Sequence, residues 1–441
     1  MDIDFSEITL DNNIRIVLSE FSTTNAVAAN FIFGVGSRYE DDEFAGASHL
    51  FEHMLFKGTK KRPSPKQISS VIENTGGVIN AFTDKEITGY WANFPKENTL
   101  ESIDLFSDII QNSLMKENDL NLEKNVVIEE IKSSLDNPYS LCNLNFEKIN
   151  WKNHSMGRDI AGSEKSVRSI SLSYLDTFFK KFYTPDNLVV SISGNIDKNK
   201  VIDQINNNFI NFKAIKKNID NPVKEILGFD QISVDKEMEQ SVITLGFKSP
   251  SYMDEKKYAL SLISIILGES MSSRLFEEIR ENRGLVYDIH SSINLHSDTG
   301  VIYFEAGVDD KNLFEVIKLI FAELDKIKNS NVDEIELNTA KKLATGRLLL
   351  RLENSRAISG YLGSQKIVSN KITDVEEVIQ KINNEGKTIL VVTHEEDIAN
   401  IVIGIAAQGD DHIQILSSIT NALDDENSLE ILKLGMGYGK K

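Results

Sequence analysis

The sequence predicts an α+β protein of two structurally repeated domains, each a mostly antiparallel sheet packed by helices. Three observations carry that prediction. Strand-like runs cluster and are followed by runs of helices, instead of alternating as βαβ units. The order of elements begins again near the middle of the chain, at low identity, as a structural repeat does. The 441 residues exceed one ordinary core and suit two domains.

The elements follow in order. Residues 14–18 and 27–33 are rich in β-formers and bounded by turn residues, so they read as strands. From 46 to 56 the spacing becomes helical, with Leu50, Met54 and Phe56 on or beside one apolar stripe. Ser64-Pro65-Lys66 starts a helix that runs to about Asn74 and is stopped by Gly76-Gly77. Residues 78–82 and 88–94 form a hairpin; 99–114 and 119–135 are amphipathic helices. A helix over 174–182 leads into a buried-type strand, 188–193. The second half repeats the scheme with a strand at 240–247 and helices at 256–267 and 272–280. Strands at 287–295 and 301–307 follow, then long helices at 313–328 and 332–353. The polar stretch 213–224, holding Asn221-Pro222, is the expected hinge, giving domains of residues 1–215 and 216–441.

Composition narrows the partners. The formal charge is −19, which disfavours nucleic acid, since that needs clustered Lys and Arg to displace counterions. The acidic field either attracts basic peptides or only keeps the protein soluble. One cysteine, Cys142, excludes an intramolecular disulfide and suits a reducing compartment. The acidic start lacks the basic segment and apolar run of a secretory signal, and no apolar stretch has bilayer-spanning length. A cytoplasmic protein without membrane or nucleic-acid partners is expected.

The most informative stretch is His49-Leu50-Phe51-Glu52-His53. Positions i and i+4 of a helix share a face one turn apart, so both imidazoles reach a single metal ion. With only seven histidines in the chain, such a pair around a Glu is uncommon by chance. Two imidazoles and one carboxylate leave a tetrahedral position for water, the composition of a catalytic zinc site. Zinc lowers that water's pKa to roughly 7, and Glu52 at i+3 is placed to accept its proton. The third ligand must come from another helix. Glu123 and Glu130 lie seven residues apart on one face of such a helix, with Val126, Val127 and Ile131 burying it and Glu129 pointing to solvent. One of the two carboxylates can bind metal while the other orients a ligand histidine. By spacing alone the pair also reads as an ordinary charged face.

The stretch from Gly46 to Thr59, Gly-Ala-Ser-His-Leu-Phe-Glu-His-Met-Leu-Phe-Lys-Gly-Thr, resembles the active-site helix of pitrilysin-type inverzincin peptidases. The likeness is to their mitochondrial processing peptidase branch and its bacterial relatives, and it covers about residues 5 to 375. It implies a zinc-dependent endopeptidase acting on peptides or unfolded segments in a chamber, with one zinc per chain. It implies His49, His53 and Glu130 as ligands, Glu52 as base and Glu123 as the acid behind a ligand histidine. Asn80-Ala81-Phe82-Thr83 is similar to the edge strand on which the family pairs its substrate by β-augmentation; taken alone it is a hairpin strand. Leu275 to Tyr287 resembles the family's second signature, in which Arg280 and Tyr287 grip the substrate backbone and the oxyanion. Taken alone, Arg280 is a cation at a helix C-terminus. Members of this length pair into a clamshell, so the resemblance implies a homodimer, or a heterodimer with a related chain, with Arg280 and Tyr287 serving either zinc.

After about residue 375 the likeness stops. Residues 385–396, including His394, read locally like the switch segment of transporter ATPases, and 403–412, including His412, like sugar-phosphotransferase domains. No Gly-x-x-x-x-Gly-Lys-[Ser/Thr] loop accompanies them. The plainer reading is strands at 388–393 and 401–406 and a helix at 413–423 completing the second sheet. The rival to a peptidase is a non-catalytic binding or chaperone-like chamber subunit of the same fold. The full set of His49, Glu52, His53, Glu130, Arg280 and Tyr287 argues against it.

Overall fold

The computed structural model describes residues 3–213, 221–224, 230–236, 240–386 and 402–407. The expected strand at 388–393, the helix at 413–423, His394 and His412 lie outside the described residues. Two compact units emerge. The first gathers the described residues of Met1–Ser133, Arg158–Asn221 and Leu348–Glu377; the second gathers those of Ser134–Gly157, Pro222–Arg347 and Val378–Lys441.

In the first unit, β1 (Ser6–Thr9), β2 (Arg15–Glu20), β3 (Ala26–Phe33), β4 (Val78–Thr83), β5 (Thr88–Pro95) and β6 (Leu188–Gly194) form one sheet in the order β1-β2-β6-β3-β5-β4. Every pairing is antiparallel except β2 with β6. The central strands are buried on both faces and mostly apolar: all seven residues of β6 and seven of the eight in β3 are buried. Covering both faces is what near-continuous apolar runs require. β4 ends the sheet, and its residues are exposed or half-buried.

In the second unit, β7 (Asp230–Asp235), β8 (Ser241–Ser249), β9 (Val286–Leu295), β10 (Gly300–Val308) and β11 (Val402–Ala407) pair in the order β7-β11-β8-β10-β9. Here β7 with β11 is the parallel pair. This order and these directions match β2-β6-β3-β5-β4 strand for strand, so the repeat expected from the sequence is a repeat of sheet topology. The fold is α+β, with two mostly antiparallel sheets packed by helices.

Each unit takes a helix from the other half of the chain. Ser355–Ser369 packs on β2, β3 and β6, and Pro138–Asn150 packs on β7, β8 and β11. Gly363 permits the first contact, because a Cβ there would stand 2.7 Å from Ile32 and 2.9 Å from Ser191. Among the described residues no helix is long and apolar enough to cross a membrane.

Four helices of the first unit frame the site: α1 (Ala47–Leu55), α2 (Pro65–Glu73), α3 (Thr99–Asn112) and α4 (Glu117–Asp136). Ser64 caps α2 through the Gln67 amide, with Pro65 at the first position. On α4 the buried line is Leu120, Glu123, Val127 and Ile131, with Ile128 beside it. Val126, expected among the burying residues, is 43% exposed. One residue turns the chain by 100°, which carries Val126 off the stripe on which Val127 sits.

Candidate metal centre

Helix α1 is fixed at both ends before its functional side chains are considered. Ala47, Leu50, Phe51, Met54 and Leu55 are buried, each large apolar side chain contributing roughly 1.5–3 kcal/mol. Phe51 packs between Phe178, Phe179 and Tyr183, at 4.5 Å from the Tyr183 ring. At the N-terminus the cap position is Gly46, which has no side chain to offer. Glu40 supplies the missing acceptor: its carboxylate accepts from the Gly46 amide at 2.8 Å and the Ser48 amide at 2.6 Å. Burial pushes the Glu40 carboxyl up to about 7, against the downward pull of those amides and of Arg158. Gly46 has φ +94, and a Cβ there would lie 2.4 Å from the Ala161 carbonyl oxygen.

So held, α1 presents His49 and His53 on one face, their rings 4.6 Å apart and 74° to each other. Glu130 reaches over from α4. Its Oε2 stands 3.7 Å from His49 Nε2 and 3.8 Å from His53 Nε2, and one ligand atom from each residue lies within 4.8 Å of the others. Donors about 2.0–2.1 Å from a tetrahedral zinc are themselves roughly 3.3–3.4 Å apart, so these spacings fit the ion with small adjustments. The protonation states suit it too. Burial, then the neighbouring His53, lowers His49 to about 4, leaving a neutral imidazole. His53 Nδ1 lies 2.9 Å from Glu123 Oε2; donating there turns the Nε2 lone pair toward Glu130. Burial works against ionisation of Glu123, but hydrogen bonds from Lys57 and His53 outweigh it and hold the group below its ordinary range.

Glu52 stands beside this set without joining it. Burial raises its carboxyl; Thr83 and His53 pull it down, and Glu130 pushes it up. The Thr83 hydroxyl donates to Glu52 Oε2 at 2.5 Å. Thr83 is the last residue of β4, so this bond ties the sheet's edge strand to the carboxylate. Asn80 is exposed on that strand, with Ala81 and Phe82 half-buried beside it.

Arg280 and Tyr287 belong to the second unit and adjoin each other, the guanidinium 5.7 Å from the phenol ring. Both sit on irregular backbone. The helix expected to end at Arg280 is π-helical over Phe276–Glu281, with the Asn282 amide bonded back to Glu277. Along β9, Asp288 pairs with Gly307 and Val286 with Val308, so Tyr287 is the extra residue of a β-bulge, 76% exposed. π-helical turns and bulges are both over-represented at functional sites.

Roles for Glu40 and Lys57, and the bond from Thr83 to Glu52, were not among the expected site features. A signal for Glu40 existed: a helix opening Gly-Ala-Ser has no cap of its own, so an acceptor must come from elsewhere. The Thr83 and Lys57 contacts join residues 31 and 66 positions apart, beyond any local pattern.

Comparison with known proteins bears on the family and the fold. The family pattern described as "Insulinase (Peptidase family M16)" matches residues 15–164, and that described as "Peptidase M16 inactive domain" matches 169–343. The uncharacterized zinc protease YmxG of Bacillus subtilis is 34% identical over 375 residues, 85% of this chain and 91% of the relative. An uncharacterized zinc protease of Rickettsia felis is 34% identical over 385 residues, 87% of this chain and 92% of that protein. Among solved structures, a protease from Helicobacter pylori has a TM-score of 0.86 at 24% identity, covering 92% of this chain and all of its own. A peptidase M16 inactive domain from Pseudomonas fluorescens has a TM-score of 0.82 at 19% identity, covering 92% and 99%. At these identities the structural likenesses speak for the fold alone.

Proposed function

This chain belongs to peptidase family M16, the pitrilysin family, in its bacterial branch, and from that premise we propose that it is a zinc-dependent endopeptidase cleaving peptides or unfolded segments. The observation that carries the reading is the convergence of His49, His53 and Glu130, with Glu52 alongside but outside the ligand set. One zinc per chain would be held by these three residues, with Glu123 orienting His53. When bound, the ion supplies Lewis-acid polarisation of the scissile carbonyl and acidifies water.

The remaining steps belong to the chain's own residues. Glu52 accepts the proton of the attacking water and delivers it to the leaving amine. A carboxyl raised by burial is a stronger base than an exposed one, and the Thr83 hydroxyl favours its ionised form and aims it. An extended peptide pairs along the Asn80-Ala81-Phe82 edge of β4. Main-chain bonding there makes binding tolerant of sequence. Arg280 and Tyr287 hold the substrate backbone and the developing oxyanion. The chain acts as a homodimer or with a related subunit, in the cytoplasm, on peptides and not on nucleic acid.

The test is zinc content together with cleavage of an unstructured basic peptide, in wild type and Glu52→Gln. Retained zinc with a fall in kcat of about 10²–10⁴ is expected. A protein that takes up no zinc, or full activity in Glu52→Gln, would refute the proposal. The latter result would favour a non-catalytic, binding or chaperone-like subunit.

A further inference from the structure

We propose that Lys57 is a positioning residue for the metal centre, acting through Glu123 on His53; the inference rests on the zinc reading above. Glu123 is only 8% exposed, and its two oxygens have separate partners. One accepts from Lys57 Nζ at 2.5 Å, and the other lies 2.9 Å from His53 Nδ1. A carboxylate bound on one oxygen only can swing about its terminal torsion, which is broad for Glu. Lys57 removes that freedom by holding the far oxygen, so the near one stays in line with the imidazole.

The lysine is itself set in place. Its amide donates to the Met54 carbonyl at the end of α1. The next residue, Gly58, has φ +137 and no room for a Cβ, which would stand 2.8 Å from the Pro63 carbonyl oxygen. Thr59 then bridges to Ser113 and donates its hydroxyl to Asp108 at 2.6 Å. Asp108 is also gripped by Arg62 at 2.7 Å. The Lys57 stem therefore leaves rigid backbone, and its side chain is 24% exposed. His53, Lys57 and Glu123 thus form a chain in which α1 and the turn after it clamp one carboxylate of α4.

The alternative role for Lys57 is a plain counter-charge to the Glu123 carboxylate, and it makes the opposite prediction. Deleting a cation near a dication strengthens metal binding, because the repulsion between them is lost. Deleting a positioning group weakens it. Partners behind a metal ligand are typically worth 10–100-fold in affinity, and one step further out roughly 3–10-fold is expected.

The experiment measures the dissociation constant for zinc by competition with a chromogenic chelator, on full-length chain, independent of peptidase activity. Lys57→Met is expected to loosen zinc by roughly 3–10-fold, Lys57→Arg by less than about twofold, and Glu123→Gln by roughly 10–100-fold. In the Glu123→Gln background, adding Lys57→Met changes nothing further, since its route to the metal is gone. Thermal unfolding of the metal-free variants checks that each is folded, and Lys57→Gln, which also lacks the cation and is expected to loosen zinc to the same extent, carries the test if the Met variant is not. Unchanged or tighter binding in Lys57→Met overturns the role, as does an equal loss in the Glu123→Gln background. If wild type itself fails to bind zinc, the zinc reading falls; if only the Lys57 effect is missing, that reading stands and this inference alone fails.

Discussion

Replacing Thr83 by Val keeps the shape of the side chain and removes the hydroxyl that donates to Glu52. The carboxylate is left in its buried setting, where burial already raises its pKa and Glu130 raises it further. A hydrogen bond to a charged group contributes about 1.5–3 kcal/mol. Losing it lifts the Glu52 pKa further, since a donor to the charged form is gone. A general base works only when ionised, so the acid limb of kcat/KM moves to higher pH. Above the limb the rate is restored in part, because the base is present again but less well aimed. The assay is a pH profile of kcat/KM on an unstructured peptide for wild type, Thr83→Val and Thr83→Ser. Serine retains the hydroxyl and is expected to keep the limb near its wild-type position. If Thr83→Val leaves the limb unmoved while lowering the rate uniformly, Glu52 is not the titrating base, and the reasoning fails.

Three further outcomes follow from the same geometry. Gly46→Ala places a β-carbon on left-handed backbone and 2.4 Å from the Ala161 oxygen, and is expected to cost at least ~1–3 kcal/mol in denaturant unfolding; an unchanged midpoint would contradict the strain argument. The raised Glu40 carboxyl contributes stability that is fully present below its ordinary value of 4.5 and is lost as pH rises through about 7. That gap corresponds to ~3 kcal/mol, so Glu40→Gln should flatten the pH dependence of stability between those values. A profile as steep as wild type would exclude Glu40 as its source. Last, mixing Glu52→Gln chains with Arg280→Ala chains should restore part of the activity if Arg280 serves the partner's centre. Absence of any rescue in a mixture proven to contain hybrid dimers would assign Arg280 to its own chain.

Much of the fold was legible because its signals are local. The runs that became β3, β5, β6, β8 and β10 are rich in apolar, β-branched and aromatic residues. The helix starts at Ser64-Pro65 and stops at Gly76-Gly77 depend on the chemistry of those residues alone. The segments that escaped notice carry weak local signals. Ser6–Thr9 is four residues of alternating polarity. Pro138–Asn150 and Ser355–Ser369 are mixed and polar, and their helices gain stability from the sheets they lie on. Gly363 reads as a helix weakener in isolation, and becomes favourable only once Ile32 and Ser191 stand against it.

The site divides along the same line. By itself the sequence determined the His49–His53 pair and the placement of Glu52 beside it, because helical periodicity sets which side chains share a face. It left Glu130 indistinguishable from a charged surface, with Glu129 next to it pairing Lys132 at 2.7 Å. Only the tertiary structure decided that Glu130 meets both imidazoles, that Glu123 turns His53, and that Glu40 caps the helix carrying them. Only it, too, gave Tyr287 its bulge and Arg280 its π-helical turn. Those outcomes depend on packing between segments far apart in the chain, whereas a sequence pattern reports only what one helix or one strand can arrange alone.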